Sequence, residues 1–157
     1  MVQPGQKTPT AEGGALALVF RAASLLCALR LDEVVETMRP LPTRPLAGTP
    51  PYVRGITIMR GVPTPVVDVA RVLGGEAAET ERFVAVRTEH GPIAFATGPV
   101  LGIRATPPAG PAAYPGVSSR LVAGVGMIGT EPVLLLQSMR VVPDEVWAAA
   151  AGEAVPT

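Results

Sequence analysis

With 157 residues, 48% hydrophobic side chains and a mean hydropathy of +0.36, the chain can build one domain or two small lobes on a shared core, which excludes global disorder. Thirteen basic and thirteen acidic residues cancel to a formal net charge of zero without a basic cluster, so nucleic-acid and anionic-membrane binding have no electrostatic footprint. Cys27 is the one cysteine and cannot form an internal disulfide; no apolar run approaches the roughly 20 residues of a bilayer span, and the first residues do not read as a signal peptide. The expectation is a cytoplasmic protein without membrane insertion.

Residues 1–14, rich in Gly, Pro, Thr and Gln, predict a disordered tail, with order beginning at Ala15. Ala15–Phe20 and Leu25–Leu29 predict two strands around a turn at Arg21–Ser24. Leu31–Arg39 mixes signals: Asp32 suits the cap of a short helical turn, and Val34, Val35 and Thr37 then favour a strand. Five prolines between Pro40 and Pro51 leave only an extended crossing segment. Gly55 to Asp68 then reads as a strand ending in Arg60-Gly61, a turn at Pro63-Thr64-Pro65 and a second strand through Val66-Val67, closing on Asp68 as N-cap of a short helix that stops at Gly74. Gly75–Arg82, with Glu76, Glu79 and Glu81, reads as a linker.

The second half repeats that order. Arg82–Arg87, Ile93–Ala96 and Val100–Arg104 predict strands, and Thr106–Ser119 is a second proline-rich crossing. Leu121–Ile128 and Glu131–Leu136 pair around Gly129-Thr130, and Pro143–Gly152 predicts a terminal helix. Ten short strands without long crossover helices argue for small barrels rather than a parallel α/β sheet. The fold expected is mainly β: two small five-stranded barrel lobes packed together, one at about 15–75 and the other at about 82–142, with short helices including the C-terminal one at about 143–152 and a tail at 153–157.

Catalytic chemistry finds little support. His90 is the one histidine and falls in a turn; Cys27 falls in an apolar strand, where a thiol behaves as a small hydrophobe. A small enzyme or ligand-binding barrel built on His90 or Cys27 is the remote alternative. No Cys/His set reaches four zinc ligands, so neither metal nor cofactor is expected. Gly124–Gly129 spells G-x-G-x-x-G, but a strand follows it rather than a helix, so no phosphate cradle is expected. What remains is a binding protein, with edge strands and loops as its surfaces. Glu36 and Arg60, each at the end of an apolar segment, read either as a bidentate pair or as separate surface charges.

The stretch Pro51-Tyr52-Val53-Arg54-Gly55-Ile56-Thr57-Ile58-Met59-Arg60-Gly61-Val62-Pro63-Thr64-Pro65-Val66-Val67-Asp68-Val69 resembles the CheW-like domain, the coupling module of bacterial chemosensory arrays. The resemblance runs from about Leu16 to about Val146 and takes in Leu18-Val19-Phe20, Val34-Val35-Glu36 and the Leu121–Leu136 hairpin. The chain departs from the family's pattern at Ile58, where Asn is common, at Met59, where Leu is usual, and at Cys27, where an aromatic stands. The resemblance implies two five-stranded SH3-like barrels, no catalytic activity, and a scaffold bridging chemoreceptor tips and the regulatory domain of a CheA-type histidine kinase. It implies kinase contact through barrel edges, in rings that take in paralogous domains, and receptor contact in the groove between the lobes. Val34, Glu36 and Arg60 match receptor-facing positions. Gly55, Met59 and Gly61 complete the candidate partner-binding set, the two glycines reading equally well as structural turn residues. A divergent module of a non-flagellar chemosensory system, or a competitor of the main coupler, is the alternative reading.

Overall fold

The structure, a computed structural model, describes residues 15–75, 78–108, 110, 121–137 and 141–153. The expected tail at 1–14, residues 154–157 of the expected C-terminal tail, Glu76 of the linker and most of the second crossing lie outside the described residues.

Among the described residues the strands are β1 (Leu16–Ala22), β2 (Leu25–Arg30), β3 (Val34–Met38), β4 (Val53–Met59), β5 (Val62–Asp68), β6 (Arg82–Thr88), β7 (Gly91–Thr97), β8 (Val100–Ala105), β9 (Val122–Ile128) and β10 (Glu131–Leu136). Helix α1 covers Val69–Val72 and α2 Asp144–Glu153. Asp68 caps α1 as its position predicts: its backbone is extended and its side chain accepts from the Arg71 N–H at 3.4 Å. Asp32 does not cap. A 3-10 turn does form over Leu31–Glu33, but it starts without a side-chain cap, and the Asp32 carboxylate instead accepts from the Arg30 guanidinium beside it.

The strands form two five-stranded sheets, ordered β8-β1-β2-β10-β9 and β3-β6-β7-β5-β4. Sheet membership corrects the lobe division at 15–75 and 82–142. The first hairpin, β1–β2, leaves its own half and joins β8, β9 and β10, while β6–β7 joins β3, β4 and β5. Hairpin formation is local and follows from turn residues, whereas the sheet a hairpin enters is decided by pairing over long sequence separations.

The two sheets are equivalent strand for strand. Ala28 pairs with Leu135 in the first as Ala94 pairs with Val66 in the second, both in parallel register. Val35 and Leu101 are the extra residues of matching bulges on β3 and β8. These equivalents keep one offset of 66 residues (94 − 28; 101 − 35). On β4 and β9 the extra residues are Arg54 and Ala123, and the crossings dock through matching bridges, Arg44 to Ile56 and Gly110 to Val125.

Three apolar clusters hold this arrangement. The largest lies between the sheets and takes Phe20, Cys27 and Leu29 from one and Val67, Val84 and Phe95 from the other. Two smaller clusters sit on the far side of each sheet, one around Val19, Leu26 and Val133, the other around Met59, Val66 and Phe83. Strands β1, β2, β5, β6 and β7 are therefore buried on both faces over most of their length, which explains why β1, β2, β6 and β7 carry continuous apolar runs rather than alternating patterns.

Candidate functional site

Glu36 lies on β3 and Arg60 follows β4, and β3 and β4 are the two outermost strands of their sheet. The Arg60 guanidinium donates to both carboxylate oxygens of Glu36, Nε to Oε2 at 2.5 Å and Nη2 to Oε1 at 2.7 Å. Of the two sequence readings the bidentate pair holds. It holds the Glu36 carboxyl below its ordinary range and the Arg60 guanidinium above its own, in each case first through the hydrogen bonds and then through charge. The Arg60 side chain is 75% exposed and that of Glu36 25%, so the guanidinium also faces outward.

Arg60 carries a second mark. It has φ 53° and Gly61 φ 79°, so both central residues of the β4–β5 turn are left-handed, as two-residue hairpin turns require. Gly or Asn adopts that conformation without strain; arginine does not. Ala23 in the β1–β2 turn, with φ 54°, shares that left-handed conformation.

The other candidates separate. Val34 is half-buried, stands opposite Val86 and packs against the central core. Gly61 is exposed at the turn, with nothing within 4 Å of where a Cβ would lie. Gly55 and Met59 are corrected from partner-binding to structural residues. A Cβ at Gly55 would lie 2.0 Å from the Arg44 carbonyl oxygen, because the first crossing runs directly over it. Met59 is 6% exposed and points into the small core with Val66 and Phe83. Around the ion pair the sheet exposes Val35, Ile58 and Val62, and the other sheet exposes Leu101 and Met127 at the positions equivalent to Val35 and Ile58. Val35, Ile58, Leu101 and Met127 all lie on edge strands of their sheets.

A cleft of about 630 Å³ opens between the first sheet and the β6–β7 turn of the second. Ala17, Ala28, Leu29, Ala123, Leu135 and Leu136 line it with apolar surface, and Arg30, Glu33, Arg87, Glu89 and His90 supply charged and polar groups. His90 is exposed, and its ring stacks on Trp147 of α2 with centroids 5.7 Å apart. Composition gave no sign of this contact beyond the fact that each residue is the one of its kind in the chain. Cys27 lies elsewhere, fully buried, and desolvation pushes its thiol up to about 12, the opposite of what a nucleophile needs. Among the described residues no three His, Cys, Asp or Glu side chains group as a metal site, and no helix is long and apolar enough to cross a membrane.

The family model of the CheW-like domain matches residues 16–146. The chain belongs to the CheW-like domain family. The crystal structure of the scaffolding protein TtCheW from Thermoanaerobacter tengcongensis superposes with a TM-score of 0.68 at 19% identity, over 78% of this chain and 88% of that one. That likeness establishes the fold: the interleaved pair of five-stranded sheets is the CheW-like architecture. No curated protein matches the sequence.

Proposed function

We propose that this CheW-like chain is a non-catalytic scaffold that couples chemoreceptors to a CheA-type histidine kinase in a chemosensory array. The observation that carries the reading is the family match over nearly the whole described chain, on a fold shared with the scaffolding protein TtCheW. The surfaces agree with it. Both sheets leave apolar residues exposed on edge strands, at Val35 and Ile58 and at Leu101 and Met127, which suits edge contacts with the kinase regulatory domain or with further copies in rings. The cleft between the first sheet and the β6–β7 turn, with apolar and charged residues in its lining, suits the helical tip of a receptor. Val34, Glu36 and Arg60 match receptor-facing positions of the family and are assigned to the receptor side, and Gly61 gives the β4–β5 turn its shape.

The departures from the family pattern sort by exposure. Cys27 is buried and alters packing alone, while Ile58 is 55% exposed and alters a partner-facing edge. That observation favours a partner set distinct from the usual coupler's, as in a non-flagellar system. Co-sedimentation with receptor-bearing membranes and each CheA-type kinase of the same genome tests both readings. Kinase recruitment that depends on this protein supports the scaffold, and the kinase recruited identifies the system. A folded protein that recruits none removes both.

A further inference from the structure

The two sheets carry one cleft each at equivalent places, and the chain itself closes one of them. Strands β1 and β2 correspond to β6 and β7 at the offset of 66 residues, and β10 corresponds to β5 at an offset of 69 (135 − 66). Thr88, Glu89, Arg30 and Gln137 of the cleft therefore match Ala22, Ala23, Ala96 and Asp68. Those residues line the equivalent place in the other sheet, where only about 10 Å³ remains beside Ala78, Glu79 and Thr80, the residues that lead into β6. Ala78 packs against the central core, its carbonyl accepts from Arg54 Nη2 at 3.3 Å, and the Glu81 N–H donates to the Thr97 carbonyl at 2.8 Å. Small side chains keep the first cleft open by comparison. Ala17 stands where the other sheet has Phe83, and Ala123 where it has Arg54.

We propose that residues 12–14 of this chain lie in the open cleft as a strap, and that a receptor must displace them to bind there. The identity of that competitor rests on the scaffold reading; the strap does not. Residues 12–14 lead into β1 as 78–80 lead into β6 (78 − 66; 80 − 66). Glu12-Gly13-Gly14 and Ala78-Glu79-Thr80 both combine short side chains with a single glutamate. The segment also departs from the rim of the cleft: the Thr106 N–H donates to the Ala15 carbonyl at 2.9 Å, and Thr106 and Ala17 belong to the lining. Thr106 Oγ1 is buried without a hydrogen-bond partner among the described residues, and the backbone of a passing segment would satisfy it. The floor favours a slim occupant. Ala17, Ala28, Leu29 and Leu136 are at most 3% exposed, so the cleft takes backbone and small side chains rather than a large one. Ala123 offers no guanidinium to a strap carbonyl as Arg54 does, so this strap is held more weakly than its counterpart and can be displaced.

The test uses the full chain carrying Gly13→Cys and Glu89→Cys, the counterparts of Glu79 and Ala23 in the closed place. Cys27 is buried with its thiol pushed up to about 12 and takes no part. Under a mild oxidant this pair should close to an intramolecular disulfide about tenfold faster than Gly13→Cys with Ile103→Cys. Ile103 is exposed on β8 opposite Leu18, where a loose segment would also reach. Ala123→Arg, which restores the missing guanidinium at an exposed position, should speed closure of the first pair about threefold further. The oxidised protein, with its strap locked, should bind a purified chemoreceptor cytoplasmic fragment at least about tenfold more weakly than the reduced protein, and the kinase regulatory domain equally well. Equal closure rates for the two cysteine pairs overturn the strap and leave the scaffold reading in place. Faster closure with unchanged receptor affinity in the locked form overturns the competition and the placing of the receptor in this cleft. A protein that binds the kinase domain but no receptor fragment in either form overturns the receptor-side reading and the competition with it, while the closure rates alone decide the strap.

Discussion

Glu36 and Arg60 join the two outermost strands of a five-stranded sheet through a two-pronged ion pair, with Arg60 held in a backbone conformation that arginine disfavours. The pair is too exposed to be needed for folding. Arg60→Gly should leave thermal stability unchanged or raised, because it relieves the left-handed strain, while weakening receptor binding. Ala23, with φ 54° in the β1–β2 turn, supplies the control. Ala23→Gly relieves the same strain, by about 0.5–1 kcal/mol, and should leave receptor binding untouched. A large loss of stability in Arg60→Gly would mean that the pair is structural.

The same pair has a pH signature. Glu36 has a folded pKa below its ordinary value of 4.5, so its contribution is complete above that value and disappears as pH falls through the lowered one. Carboxyl titration by NMR should show Glu36 ionised at pH values where a free glutamate is protonated. Arg60→Ala should return it toward the ordinary value, and high salt should do so in part. An unmoved titration in Arg60→Ala would show that the contact does not persist in solution.

Gly55 and Gly61 look alike in the sequence and should behave differently. Gly55→Ala drives a Cβ into the Arg44 carbonyl and should cost about 3 kcal/mol or more, read as a drop in Tm. Gly61→Ala meets nothing and bears only the left-handed backbone, about 1 kcal/mol. Equal losses would place the crossing segment elsewhere.

Exchange of the β1–β2 and β6–β7 hairpins makes each sheet depend on both halves of the chain. Unfolding should be a single transition in which probes on the two sheets coincide. Phe95→Ala, in the core between the sheets, should lower both together by about 3–5 kcal/mol. Two separate transitions would contradict the interlock.

Much of this was legible in the chain. Strand positions followed from turn residues and apolar runs, and the repeated order of elements foreshadowed the equivalence of Ala28 with Ala94 and Val35 with Leu101. Sheet membership was not legible, because the parallel pairing of β5 with β7 leaves no local mark. Gly55 and Met59 read as surface candidates since nothing near them in the sequence announces the crossing above one or the core beneath the other. The stacking of His90 on Trp147 joins residues far apart in the chain, and periodicity carries no information about such contacts. The Glu36–Arg60 pairing was legible as one of two readings, but the hairpin's turn falls at Arg60-Gly61 and not at Pro63-Thr64-Pro65, which lies within β5 because both prolines fit its pairing with β4.

The thiol of Cys27 offers a clean probe of folding. It is buried between the sheets and desolvation raises it to about 12, so a thiol reagent should react only through global opening. The logarithm of the reaction rate should rise in Phe95→Ala in proportion to the lost stability, about tenfold for each 1.4 kcal/mol. Rapid reaction with the native protein would mean that the first sheet opens locally.

The scaffold role is tested most directly by calorimetry of the purified protein with the regulatory domain of the CheA-type kinase from the same genome. Saturable one-to-one binding, weakened by charged substitutions at Leu101 or Ile58 and unaffected by His90→Ala, is the expected result. A folded protein that binds none of the genome's CheA-type regulatory domains would contradict the coupling function while leaving the CheW-like fold intact.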